Sequence, residues 1–168
     1  MKEKYQAILK TNGWTLTDQK EKIKAEILKE KVKDKVISWR LIDTVSAYID
    51  PLGKGYITQK KAVISALTKA ASLLSQGAKS SEATAEAAKS QNVYKTFVAS
   101  EARRVEKKDN WEKLILEGIF KLSKGQVSPV LISQSGASFW VVRIVDGTDS
   151  DFAKFEDWLE AKKKQYVK

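Results

Sequence analysis

Residues 117–130 read Glu117-Gly118-Ile119-Phe120-Lys121-Leu122-Ser123-Lys124-Gly125-Gln126-Val127-Ser128-Pro129-Val130. They lead through Ser135-Gly136 into Phe139-Trp140-Val141-Val142-Arg143-Ile144-Val145. Before them, Trp111, Leu114, Ile115, Ile119 and Phe120 keep to one side of a helix that starts at Asp109 or Asn110 and runs through Lys121. Gly125 breaks that helix and supplies a turn. Two strands follow, 127–133 and 139–145, around Gln134-Ser135-Gly136-Ala137. Pro129 has no N–H to give to a ladder, so the first of them belongs at a sheet edge. The run 139–145 is almost continuously apolar and leaves no side for solvent. It predicts a central strand covered on both faces.

Working outward, residues 42–49 hold the β-formers Ile42, Thr44, Val45, Tyr48 and Ile49, and Pro51, Gly53 and Gly55 end the run. Thr58 is placed to cap a helix to about residue 76, with Val63, Leu67, Ala70, Ala71 and Leu74 inward and Gly77 closing it. Residues 80–90 are Ala-rich and predict a short helix. Residues 93–105 begin as a strand with Tyr94, Thr96, Phe97 and Val98, then turn charged. At the N-terminal end, a short helix over 2–11 carries Tyr5, Ile8 and Leu9. A long one over 18–41, capped by Thr17, carries Ile23, Ile27, Leu28, Val32, Val36, Ile37 and Trp39 as one apolar stripe. A last helix over 151–165, capped by Asp149 or Ser150, shows Phe152, Phe155, Trp158 and Leu159 at helical spacing.

The order is α-α, then β-α-α-β-α-β-β, then α, an α+β chain whose middle block of about 105 residues is a small α+β sandwich. The terminal helices each have an apolar stripe that no sheet is left to cover. The economical arrangement packs them together, as a helical module of 1–41 and 147–168 with the 42–146 domain inserted into it. On that arrangement Trp158 is buried, and Trp158→Ala costs about 3–5 kcal/mol.

Composition narrows the chemistry. The 168 residues contain no histidine and no cysteine. Imidazole bases, thiol nucleophiles, disulfides and most zinc, copper and iron sites are thereby excluded. The net charge of +10 comes almost wholly from lysine, with Arg at 40, 103, 104 and 143 alone. Nucleic-acid readers lean on the planar fork of Arg, so the lysines read as solvated helix faces and no nucleic-acid partner is expected. Asp146, Asp149 and Asp151 lack the Gly and distal Glu of a calcium loop, and helix capping is their expected use. Ser/Lys pairs occur by coincidence in so lysine-rich a chain. No metal and no cofactor is expected. No apolar run approaches the ~18 residues of a membrane span.

Residues 117–130, with Ser135-Gly136 and the apolar strand after them, resemble the C-terminal half of a parvulin-type peptidyl-prolyl isomerase domain. The strand and helix order is similar to the parvulin order, which has one more short helix. The flanks extend the likeness. Ala7-Ile8-Leu9-Lys10-Thr11-Asn12-Gly13-Trp14-Thr15-Leu16 with the helix after it resembles the opening of SurA- and PrsA-type foldases. Phe155-Glu156-Asp157-Trp158-Leu159-Glu160 resembles the closing helix of their chaperone module. The resemblance implies a parvulin-like domain, with a four-stranded antiparallel sheet and helices, inserted in a SurA-N-like helical chaperone module. It also implies an extracytoplasmic location, in the periplasm or cell envelope. In such foldases a further helix with a signal or anchor precedes the point where this chain begins; the expectation is that this segment has been removed, and that any membrane contact would go through it.

The departures bear on activity. Parvulins carry one histidine on the first strand and one on the last; the resemblance puts Tyr48 and Trp140 there, with Ser133 near a family threonine. The family's middle Cys or Asp falls between Ser90 and Asn110, where no alignment holds. Trp111, Ile115 and Phe120 stand where the walls of a proline pocket would be, or are ordinary core residues. Prolyl rotation needs an apolar pocket and a polar surround that favours the twisted amide. Without the histidines the domain is expected to be non-catalytic, and two large aromatics would narrow its pocket. The leading expectation is a chaperone that holds unfolded or extended polypeptides, with Tyr5, Ile8, Trp14, Trp39, Phe155 and Trp158 either lining a client groove or packing the module. Its alternatives are an active isomerase with a rebuilt site and a non-catalytic scaffold for one folded partner.

Overall fold

A computed structural model describes residues 11, 13–89 and 97–166. The helix expected over 2–11, with Tyr5 and Ile8, and the start of the strand expected from 93 lie outside the described residues. In chain order the elements are α1 (Leu16–Val36), β1 (Trp39–Tyr48), α2 (Tyr56–Ser75), α3 (Ser80–Lys89), β2 (Phe97–Glu106), α4 (Lys113–Phe120), β3 (Leu131–Ile132), β4 (Ser138–Thr148) and α5 (Phe155–Tyr166). The fold is α+β, with one four-stranded antiparallel sheet in the order β2-β1-β4-β3.

The apolar run of β4 sits where its composition demands. Phe139 and Val141 face one core, with Val45, Ala47 and the α2–α3 pair. Val142 and Ile144 face the other, with Ile42, Val105 and the α4 residues Ile115 and Ile119. Alternation along a strand sends neighbours to opposite faces, so a strand covered on both sides must be apolar throughout.

The hairpin before β4 matches its sequence too. Gly125 adopts a left-handed φ of 83° and donates its N–H to Ile144 O at 2.8 Å. Pro129 is exposed on the edge side. The regular pairing of β3 is shorter than 127–133, being Leu131–Ile132 plus one bridge from Val127 to Arg143. Gly118 lets α4 close on this edge, since a Cβ there would meet Leu131 Cδ2 at 2.8 Å.

Several boundaries differ from the sequence reading. α1 ends at Val36, not 41, and Trp39 opens β1. Its cap is Thr15 rather than Thr17: Thr15 and Asp18 exchange hydrogen bonds in a reciprocal capping box. α2 starts at Tyr56 behind a left-handed Gly55, with no side-chain cap, so Thr58 lies inside the helix. α5 starts at Phe155, and neither Asp149 nor Ser150 caps it. Asp149 pairs with the buried Arg40, Asp146 with Lys124, and the Ser150 hydroxyl donates to Val36 O.

The larger correction concerns α1, which has no fully buried residue, Val32, Lys33 and Val36 being partly covered. Ile23, Ile27 and Leu28 of its apolar stripe are about half exposed, at 49%, 50% and 60%. Among the described residues α1 is held toward its C-terminal end, where the Lys29 ammonium also lies over the Phe155 ring. There Lys33 pairs with Glu106, Asp34 pairs with Arg104, and the Arg104 guanidinium stacks on Trp39. Burial alone would raise the Glu106 carboxyl, but Lys108, Lys33 and Arg104 together hold it below the usual range.

Trp158 is half-buried and stacks on the buried Phe155 at 5.4 Å. The packing loss for Trp158→Ala is therefore smaller than a fully enclosed ring would give. We expect about 1–2 kcal/mol, read from the urea midpoint, in place of the ~3–5 kcal/mol expected from sequence.

Candidate functional site

α4 spans eight residues and covers only one end of its face of the sheet. Beyond its N-terminus the face opens into a cavity of about 290 Å³. Its apolar walls are Trp111, Ile115 and Trp140, and its polar walls are Ser133, Ser138 and Asn110. Arg103 from β2 and Glu112 at the head of α4 add one charge of each sign.

The two indoles lie 5.2 Å apart between ring centroids and are tilted by 53°. Ile115 is buried beside them. The Ser133 N–H donates to Ser138 O, and the Ser133 hydroxyl accepts from Ser138 N–H at 2.9 Å while sharing a 3.0 Å hydrogen bond with Ser135. The Ser133 and Ser135 hydroxyls are thus occupied in holding the hairpin, and neither has a basic partner among the described residues. Glu112 accepts the Gln134 N–H, which ties the head of α4 to the same hairpin. The Arg103 guanidinium stacks on Trp111 at 4.6 Å.

Arg103 follows a bulge between β1 and β2, where Ala102 adopts φ 52°. A non-glycine residue in the left-handed region is strained, by roughly 1–2 kcal/mol. The Asp43 carboxylate holds it there by accepting the Ala102 N–H at 2.9 Å. Asp43 also takes the Arg143 guanidinium, which donates onward to Leu74 O and Ala78 O at the end of α2.

No family model and no curated protein matches this chain. Among solved structures, it is similar to the foldase protein PrsA from Streptococcus pneumoniae, at 16% identity and a TM-score of 0.34, over 98% of this chain and 64% of that one. This chain thus spans less than two thirds of the length of that protein. A superposition at that level is too loose to carry fold or function from one chain to the other.

Of the residues singled out from sequence, the cavity brings together Trp111, Ile115, Ser133 and Trp140. Phe120 is not among them. It lies at the far end of α4, between the Arg40 guanidinium and the Lys107 ammonium. Tyr48 is on the same face as Trp140 but out of register with it. Its cross-strand partner is Ser138, whereas Trp140 pairs with Ser46. Tyr48 is 62% exposed and does not line the cavity, so only one of the two aromatics narrows it.

Four of the expected groove residues, Trp14, Trp39, Phe155 and Trp158, are among the described residues. Trp39 gives its indole N–H to Asp34 O, Phe155 and Trp158 pack on each other, and Trp14 is exposed under the Lys22 ammonium. Tyr5 and Ile8 lie outside the described residues. Arg103, Asn110, Glu112 and Ser138 were not foreseen. The Arg103-Arg104 pair among so many lysines, within the stretch that could not be aligned, was the available signal for the first.

Among the described residues, no helix is long and apolar enough to cross a membrane.

Proposed function

We propose that this chain is an extracytoplasmic foldase-type chaperone that holds extended segments of unfolded polypeptides. In this reading residues 42–146 form a parvulin-like domain that binds peptide without accelerating prolyl rotation. Residues 1–41 and 147–168 form its helical companion, and the lysine-rich faces keep complexes in solution.

The observation that carries the reading is the open cavity with two indoles beside a sheet face that α4 leaves uncovered. Indole rings offer large, rigid, apolar area to side chains of many shapes, which suits a binder of varied sequences. Among the described residues of the cavity wall only Arg103 and Glu112 are ionised, and the chain has no imidazole. Rotation about a prolyl bond makes and breaks no covalent bond, but its ~20 kcal/mol barrier still has to be lowered by groups that favour the twisted amide.

Two measurements test the proposal together. A molar excess of the protein should slow the aggregation of several unrelated unfolded substrates without ATP, and Trp111→Ala/Trp140→Ala should lose most of that effect. Exchange NMR on an Ala-Pro peptide should show little acceleration. Aggregation unchanged by the protein would favour the scaffold reading. Acceleration at an ordinary parvulin level, lost in the double variant, would make it an isomerase with a histidine-free site.

A further inference from the structure

The Arg103 guanidinium lies over the Trp111 ring at the cavity wall, is exposed, and makes no hydrogen bond or ion pair with any described residue. The other described arginines are each committed: Arg40 to Asp149, Arg104 to Asp34 and Glu106, Arg143 to Asp43. A guanidinium stacked by one face keeps its N–H edge free, and that edge matches a carboxylate in a fixed fork.

We infer that Arg103 makes this cavity selective for carboxylates. Its preferred ligand is an extended segment with an acidic group beside an apolar residue, the apolar side chain against Trp111 and Trp140 and the carboxylate on Arg103. The inference rests on the peptide-binding reading above.

Three further observations point the same way. Asn110, Trp111 and Glu112 lead directly into α4, so the cavity abuts the positive end of that helix, whose first turn has no side-chain cap. The strained Ala102 and its tether to Asp43 fix the backbone from which Arg103 projects, so the fork is positioned before any ligand arrives. Among the described residues, Glu112 is the one acidic side chain on the cavity wall and Arg103 the one cation. One negative charge on the ligand is matched by Arg103, while a second would meet Glu112. The chemistry therefore favours a monoanionic carboxylate over a phosphate dianion.

Binding of end-blocked peptides, followed by tryptophan fluorescence and calorimetry, tests this. The probes are alanine-based hexamers with a central Glu-Phe, Gln-Phe, Lys-Phe or phosphoserine-Phe, and one ending in Phe with a free carboxylate. Glu-Phe should bind about tenfold tighter than Gln-Phe, with Lys-Phe and phosphoserine-Phe weaker than Glu-Phe. Binding of the free-ended probe at the Glu-Phe level would assign the site to chain ends as well as to acidic side chains, which is the same recognition. Arg103→Gln should bring Glu-Phe down to the Gln-Phe level, and Arg103→Lys should restore part of the difference. Equal binding of Glu-Phe and Gln-Phe by the unmodified protein overturns the inference, as does a preference that survives in a folded Arg103→Gln. If Gln-Phe and Glu-Phe both fail to bind at millimolar concentration, the peptide-binding reading itself falls, and the inference with it.

Discussion

Phe139→Ala is expected to cost about 3–5 kcal/mol of folding free energy, close to the whole stability of many small domains. Phe139 is fully enclosed at the centre of the sheet, with Ala47 opposite it on β1 and Ile132 on β3. Much of what surrounds it is small and already close-packed: Ala47, Ala66, Ala70, Ala83 and Ala87 share its core. Alanine side chains cannot swing into the space a benzyl group vacates, so the cavity stays open and the loss falls at the high end for its type. Urea titration followed by circular dichroism measures it. A loss under about 1 kcal/mol would mean that the α2–α3 layer collapses onto the sheet and that the core is more fluid than its burial implies.

Arg143→Met is expected to cost a similar amount, about 3–5 kcal/mol, by a different route. The guanidinium serves Asp43 and two carbonyls at the end of α2, Leu74 O at 3.1 Å and Ala78 O at 3.0 Å. Removing it leaves a buried carboxylate with the Ala102 N–H and two carbonyls short of a donor. Replacing both partners, as Asp43→Leu/Arg143→Met, should recover part of the loss, because the uncompensated charge disappears. A double-mutant cycle measures the coupling. If the double variant is as unstable as the sum of the singles, the carboxylate is not what makes the single change costly.

The fold was legible where one residue type had only one place to go. The run 139–145 had to be central, Pro129 had to be at an edge, and Gly125 had to turn. Capping was harder to place, because Thr15, Thr17 and Asp18 are all cap formers and only the reciprocal bond selects Thr15. The span of α1 was misread at its end because Val36, Ile37 and Trp39 continue a helical spacing while β-branching already favours a strand. Its burial was misread because spacing reports which side chains share a face, and not whether anything covers that face. Of the residues the resemblance singled out, Trp111, Ile115, Ser133 and Trp140 line one cavity while Phe120 and Tyr48 do not. Arg103 could not be foreseen, since its position depends on a bulge at Ala102. Alanine is not a residue that advertises a left-handed backbone; only its tether to Asp43, some sixty residues away in the chain, makes the conformation hold.

The strand order has a consequence for how the chain reaches this state. β1 is the first of the four strands in chain order, yet it is one of the two inner strands. Its partner β4 lies roughly a hundred residues further on, so one side of β1 stays unpaired until β4 returns to it. Closing so long a loop is slow, and contacts of this span dominate the time a domain takes to form. A protein proposed to shelter unfinished chains is thus itself late to finish.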